Sequence, residues 1–276
     1  MSANASEQEL DEVSSCARYT SGTWRQSPAE LPQEQTLALF VNGQELVSIL
    51  CTPEKLNCLV IGFLRSEGLI TSLKEIEMMR VCLDESLAEI RLTKQVALPE
   101  RRTITSGCGG GVAFDQGAGL QPLNSAWRVT PEQILTSMRL MQSKSTGQTG
   151  NGRLRRGVHI SGLSDGDKLI TRAEDIGRHN TLDKILGECM LTGITTADRL
   201  LVTTGRISSE MLIKVARMGI PVVASLNSAT QRAVQLGSDL GITIVGYARG
   251  EQFSVYTHPQ RIVGFPSDAE TGEARS

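Results

Sequence analysis

From Gly157 onward the sequence alternates short apolar runs with amphipathic stretches so regularly that few folds can accept it. Val158-His159-Ile160-Ser161-Gly162-Leu163 and Lys168-Leu169-Ile170-Thr171-Arg172 flank Ser164-Asp165-Gly166 and predict a hairpin. A helix is expected over about Arg178 to Leu191, then strand 199–203, helix 208–218, strand 220–226, helix 228–239 and strand 242–247. Gly193, Gly219 and Gly241 follow the three helices as stop signals, and Pro221 comes just after the second. Strands joined by helices of this length pair in parallel through right-handed crossovers, in a sheet whose faces are covered. A last strand is expected over Phe253 to Thr257 and a disordered tail over 267–276.

The earlier half has another texture. Residues 1–34 are rich in Ser, Glu and Gln and are expected to be a flexible lead-in, with the aromatic Tyr19 and Trp24 as the only large anchors. Two apolar runs around Asn42-Gly43 predict a hairpin over 37–50, because Asn-Gly suits the tight turn between strands. Thr52-Pro53-Glu54 is expected to cap and open a helix ending near Gly68, and 75–83 and 87–93 are expected to be strands. Thr130-Pro131-Glu132 opens another helix carrying Ile134, Leu135, Met138 and Met141. The chain thus divides into a β-rich unit over 35–128 and an α/β unit over 129–266.

Charge and apolar runs exclude several roles. A net charge of −2 gives no basis for bulk binding to nucleic acid or to acidic membranes. No apolar run approaches about 18 residues, and Met1 to Glu12 is polar and acidic, so a cytoplasmic protein without a membrane span is expected. Of six scattered cysteines, Cys51, Cys58, Cys82 and Cys189 sit among apolar neighbours as core residues would. Cys108 stands apart in Thr105-Ser106-Gly107-Cys108-Gly109-Gly110-Gly111, just after Arg101-Arg102. Glycines on both sides leave a thiol reachable, although such a loop can also carry an incidental cysteine.

Two strand-to-helix corners repeat one chemistry: Glu174-Asp175-Ile176-Gly177-Arg178-His179-Asn180, and Thr203-Thr204-Gly205-Arg206-Ile207-Ser208-Ser209-Glu210. Helix N-terminal amides attract anions, and arginine adds a planar fork for phosphate or carboxylate. Each corner alone is also what an ordinary capped helix looks like; two Gly-Arg corners on one sheet suggest a polyanionic ligand spanning both. A third group, Tyr247-Ala248-Arg249-Gly250 with Phe253 to His258 and Arg261, adds aromatic rings and cations suited to a flat heterocycle carrying phosphates. There is no Walker A or GxGxxG pattern, and three dispersed histidines without a cysteine pair serve zinc poorly.

With these motifs together, the chain resembles the formate dehydrogenase accessory sulfurtransferase (FdhD/NarQ) family over about 35–264. The resemblance rests on 174–180 with Asp183-Lys184, on 205–210, on Gly219-Ile220-Pro221-Val222-Val223-Ala224, and on Val255-Tyr256-Thr257-His258-Pro259 with Arg261-Ile262. It implies a cytidine-deaminase-like three-layer α/β/α unit behind a smaller β-rich one. It also implies a cytoplasmic carrier that takes persulfide sulfur from a cysteine desulfurase on Cys108 and passes it to the molybdenum bis(molybdopterin guanine dinucleotide) of formate dehydrogenase. That cofactor is expected as bound substrate, held by Gly177, Arg178, His179, Gly205, Arg206, Phe253, Ser254, Val255, Tyr256, Thr257 and His258. No tightly bound metal of the protein's own is expected, and a homodimer is the family expectation. Many family members have CxxC where this chain has Cys108-Gly109-Gly110-Gly111, and histidine where it has Gly150. A cofactor chaperone that moves no sulfur is the alternative; a zinc deaminase on the same fold would lack its ligands here.

Overall fold

The protein is described by a computed structural model covering residues 15–29, 31–95, 103–104, 112–113, 119–143 and 157–266. Cys108, Arg101, Arg102, Gly111, Gly150 and the 267–276 tail lie outside the described residues. The lead-in differs from expectation. Strands β1 (Ser15–Thr20) and β2 (Thr23–Pro28) pair antiparallel around Ser21-Gly22, both at positive φ (47° and 87°). The polar strands lack apolar alternation, and the overlooked signal was the Ser-Gly turn. Tyr19 and Trp24 face each other across it, ring centroids 5.3 Å apart, and both are exposed.

β3 (Gln35–Val41) and β4 (Gln44–Cys51) form the expected hairpin, with Asn42 and Gly43 both at positive φ, as a type I′ turn requires. α1 (Leu56–Ser66) then crosses to β5 (Ile76–Cys82) and β6 (Leu87–Leu92). The sheet order is β4-β3-β6-β5, with β3 and β6 parallel. Leu37, Leu39 and Ile90 pack on Leu59, Val60 and Phe63 of α1 as one core. Helix α1 does not begin at Pro53. Its N-cap is Lys55, in the left-handed region, and Thr52 is buried in tertiary contacts instead. The Thr52 N–H donates to Asp175 Oδ2 (3.1 Å), and its hydroxyl accepts from the Ile176 N–H (3.2 Å). A partner more than a hundred residues away has taken the capping residue.

β7 (Thr103–Ile104) and β8 (Val112–Ala113) are a two-residue ladder flanking the segment that holds Cys108. α2 (Pro131–Gln142) follows, with the expected Thr130 cap completed by Gln133. The second unit contains β9 (His159–Ser164), β10 (Leu169–Asp175), α3 (Arg178–Thr192), β11 (Leu200–Thr203), α4 (Ser209–Arg217), β12 (Val222–Ser225), α5 (Gln231–Asp239), β13 (Thr243–Arg249) and β14 (Gln252–Val255). Its sheet runs β10-β9-β11-β12-β13-β14; β11, β12 and β13 are parallel, and the flanking strands antiparallel. Leu182, Ile185, Met211, Val215 and Ala233 of α3, α4 and α5 cover one face, against Leu201, Val223 and Ile244. Ile134, Met138 and Met141 of α2 cover the other, against Ile160, Val202, Val222 and Val245. The arrangement is therefore a mixed α/β fold with helices on both faces of the second sheet.

The two units meet where α1 crosses α3 at two glycines. A Cβ on Gly62 would lie 1.8 Å from the Asp183 carbonyl oxygen, and one on Gly187 would lie 1.9 Å from that of Cys58. Backbones approach this closely only without side chains between them. Polar groups buried beside the crossing tie the units further, as described below.

Candidate functional site

In-register parallel strands bring their carboxyl ends together, with Thr203 opposite Ser225 and Ala224 opposite Val245. Because β9 runs antiparallel to β11, its first residue, His159, comes to the same edge, opposite Asp175 at the end of β10. This edge collects both Gly-Arg corners. Asp175 is fully buried and saturated: its Oδ1 accepts from the Gly177 N–H and from Asn180 Nδ2 (2.8 Å each), while Oδ2 lies 2.6 Å from Lys184 Nζ. Asp175 thereby fixes the entry into α3, whose N-cap Gly177 has no side chain to supply.

The two corners touch. Arg178 is buried, and its side chain lies over Gly205: a Cβ there would sit 2.9 Å from Arg178 Cβ and 3.4 Å from Cδ. His179 Nε2 stands 3.3 Å from Glu210 Oε2 in the first turn of α4. That contact holds the Glu210 carboxyl below its usual range, so the glutamate is ionised at neutral pH. Ser208 caps α4, accepting from the Met211 N–H. Arg206 points into solvent from the same corner. Burial first, then the charges of Arg178 and His179, pull His159 below the ordinary histidine range and leave its imidazole neutral.

A third corner, after β12, completes the edge. Asn227 Nδ2 donates to the Thr204 carbonyl (2.8 Å), its carbonyl accepts from the Tyr247 N–H (3.2 Å), and Ser225 Oγ donates to the Gly205 carbonyl (2.7 Å). Tyr247, at φ 53°, is exposed, and Arg249 reaches across to the Leu226 carbonyl (2.7 Å). The edge thus offers Arg178, Arg206 and Arg249, the starts of α3 and α4, and aromatic surface.

The expected 253–258 group is split. Phe253 and Val255 pack against the α2-side core, while Ser254 pairs with Gly246 on the outer strand. The Tyr256 ring covers Gly246, where a Cβ would lie 2.6 Å from its Cε2 and 3.1 Å from the Asn227 carbonyl, so the ring stands at the carboxyl edge. Thr257 and His258 lie at the opposite edge. Thr257 Oγ1 donates to Ile242 and accepts from the Ile244 N–H, and the His258 carbonyl accepts from Thr243. Arg261 is buried there too, donating to the Gly241 and Ser125 carbonyls. An antiparallel strand running away from the site separates these residues from the corners. His159 and Asn227 were not singled out by sequence reasoning. Asn227 carries the same strand-to-helix signal as the other corners; a lone histidine opening a strand carries none.

The sequence profile described as the FdhD/NarQ family matches residues 32–263. The chain belongs to the FdhD/NarQ family. The protein named sulfur carrier protein FdhD from Bacillus subtilis is 39% identical over 256 residues, spanning 89% of this chain and 95% of that one. Its namesake from Bacillus licheniformis is 41% identical over 256 residues, 89% and 94% of the respective chains. A crystal structure from Desulfotalea psychrophila, of a candidate formate dehydrogenase accessory protein, superposes with a TM-score of 0.73 at 26% identity, covering 91% of this chain and 98% of that one. No described helix is long and apolar enough to cross a membrane.

Among the described cysteines of this FdhD/NarQ chain, burial is the leading influence on three. It pushes Cys51 up to about 12 and Cys189 up to about 11, and it raises Cys58. A thiol must ionise to act as a nucleophile, so these three are held inert at neutral pH. Among the described residues, no group of three or more His, Cys, Asp or Glu side chains is placed to hold a metal ion.

Proposed function

We propose that this protein is a sulfur carrier that delivers persulfide sulfur, held on Cys108, to a molybdenum bis(molybdopterin guanine dinucleotide) substrate bound at the carboxyl edge of its second sheet. The observation that carries the ligand half is the contact between the two Gly-Arg corners. Arg178 packed on Gly205 makes one cationic surface from two helix starts, beside the Tyr247 and Tyr256 rings. Guanidinium groups and helix N-termini suit the ligand's phosphates, and exposed rings suit its guanine. The relatives named sulfur carrier proteins support the transfer half.

The loading of Cys108 balances as thiol exchange. The Cys108 thiolate attacks the outer sulfur of a cysteine desulfurase persulfide. A new S–S bond forms on Cys108, the donor's S–S bond breaks, and the desulfurase cysteine leaves as thiolate. No oxidant is needed. With Gly111 in place of a second cysteine, Cys108 works as a single carrier. The acceptor is the bound cofactor destined for formate dehydrogenase, the reaction is cytoplasmic, the carrier is a homodimer, and the second unit is a metal-free relative of the cytidine-deaminase fold.

Two measurements test this reading. Incubation with a cysteine desulfurase and L-cysteine should add one sulfur atom to the Cys108 peptide by mass spectrometry, and Cys108→Ala should abolish the addition. Guanosine diphosphate should bind the same protein in calorimetry. Nucleotide binding without a Cys108 persulfide would favour the cofactor chaperone; a persulfide without nucleotide binding would remove the ligand half. Gly205→Ala probes the site directly. A Cβ at 2.9 Å forces Arg178 aside, and guanosine diphosphate affinity should fall about tenfold, roughly 1.4 kcal/mol. Unchanged affinity would separate Arg178 from the ligand.

A further inference from the structure

Helices α3 and α4 are joined by two polar rungs spaced one turn apart. The outer rung is His179–Glu210, at the candidate site. The inner rung is Asp183–Lys214, and each of its members lies four residues after its counterpart in the outer rung, on the same face of its helix. Lys214 Nζ donates to both Asp183 carboxylate oxygens (2.9 and 3.0 Å). The remaining partners come from the other unit. Lys214 also donates to Ser66 Oγ (2.7 Å) and to Glu67 Oε1 (3.1 Å), at the end of α1, and stands 5.6 Å from the Phe63 ring centre. Ser66 Oγ in turn donates to Asp183 (2.6 Å), and Arg217 of α4 donates to the Ser66 carbonyl.

Ser66, Glu67, Asp183 and Lys214 are all buried. Burial alone would lower Lys214, but Asp183 and Glu67 outweigh it and keep the ammonium charged. Apolar packing would hold the helices together without directional groups. Hydrogen bonds to a buried charge do more, because they fix distance and angle. Here they fix three helices at one point, about 5 Å along the helix axes from the residues that face the ligand edge.

We propose that Lys214 is a positioning residue for the anionic-ligand site. By tying α3, α4 and the end of α1 together, it sets the spacing of Arg178 and His179 from Glu210 and Arg206, and it makes that spacing depend on how the N-terminal unit docks. The proposal rests on the ligand reading above. Ligand binding and unit docking are therefore coupled: whatever loosens α1 weakens the ligand, and bound ligand tightens α1.

The test uses the full chain and guanosine diphosphate as probe. Lys214→Met with Asp183→Leu replaces the inner rung by apolar side chains of similar volume, an exchange that often leaves stability intact. Ser66→Ala removes only the Ser66 hydroxyl from the cluster and leaves the Glu67 and Arg217 contacts of α1 in place. For each variant, nucleotide affinity is read by calorimetry, folding by the melting curve and persulfide acceptance by mass spectrometry on Cys108. The double variant should stay folded with a lowered melting temperature, because the buried Glu67 loses the Lys214 ammonium, while accepting sulfur normally and binding nucleotide between about 2- and 30-fold more weakly. Ser66→Ala should shift affinity in the same direction by a smaller factor. A purely structural role predicts wild-type affinity in every variant that folds, and that result overturns the proposal. If the double variant does not fold, Ser66→Ala decides, and unchanged affinity there overturns it equally. If wild-type protein does not bind the nucleotide, the ligand reading fails and this proposal falls with it.

Discussion

Gly62→Ala should prevent the protein from reaching its native stability, lowering the melting temperature by at least about 10 °C or leaving the chain insoluble. The new methyl would start 1.8 Å from the Asp183 carbonyl oxygen, where real Cβ contacts are essentially never under 3.0 Å. The obstacle is backbone on a buried helix, not the end of a side chain that can swing away. α1 and α3 must therefore part by about an ångström. Overpacking of this kind typically costs about 1–3 kcal/mol, and hydrogen bonds to charged groups contribute about 1.5–3 kcal/mol each. Parting the helices stretches the Ser66–Asp183 and Lys214–Ser66 bonds of 2.6 and 2.7 Å. The sum is about 4 kcal/mol or more, a large share of the roughly 5–15 kcal/mol that holds a domain folded. Gly187→Ala meets the Cys58 carbonyl at 1.9 Å and should behave alike. Gly193→Ala, at a helix end with nothing within 4 Å of the added carbon, should lose only the smaller penalty of its positive φ. A melting temperature for Gly62→Ala within about 2 °C of wild type would mean the helices do not cross as described.

What the sequence disclosed was local chemistry. Asn42-Gly43 forms the turn its residues favour, Thr130 with Gln133 caps α2, and Gly193, Gly219 and Gly241 end their helices in the left-handed region. Each depends on a few adjacent residues, so reading along the chain suffices. The parallel strand–helix succession was legible for the same reason. The candidate site was legible only in the pairing of its corners, because one strand running into a helix with Gly-Arg also reads as an ordinary capped helix.

What depended on distant partners was not legible. Thr52 has every credential of a helix cap, yet its groups are spent on Asp175 and Ile176. Nothing in the neighbouring sequence marks Lys184 and Lys214 as buried; both are, because α1 or the end of β4 supplies acceptors from over 130 residues away. The run from Phe253 to His258 is contiguous in sequence but crosses the sheet from one edge to the other. Only its Tyr256 ring returns to the corners, and it does so because Gly246 leaves room. Strand direction, not proximity in sequence, decides membership of the site.

Lys184→Met is the second change expected to be severe, and it links stability to the site. Lys184 is fully buried, 2.6 Å from Asp175, and donates to the Thr52 and Glu174 carbonyls at 3.0 and 3.1 Å. Methionine fills the space but leaves the Asp175 carboxylate buried without its cation, which typically costs about 3–5 kcal/mol. Two carbonyls also lose their donor. The melting temperature should fall by about 10 °C, and guanosine diphosphate binding should weaken as well, since Asp175 holds the Gly177 N–H and Asn180 that set the first turn of α3. Adding Asp175→Asn separates charge from shape. The amide oxygen can still accept from Gly177 and Asn180, while its nitrogen faces the Thr52 N–H, so recovery should be partial, about 2 kcal/mol of the loss. If the double variant is as unstable as Lys184→Met alone, the penalty comes from lost packing, and Asp175 is not an uncompensated charge in the single variant. If instead it melts as wild type, the ion pair contributes nothing beyond cancelling itself, and the corner at Gly177 is shaped by the carboxyl oxygen alone.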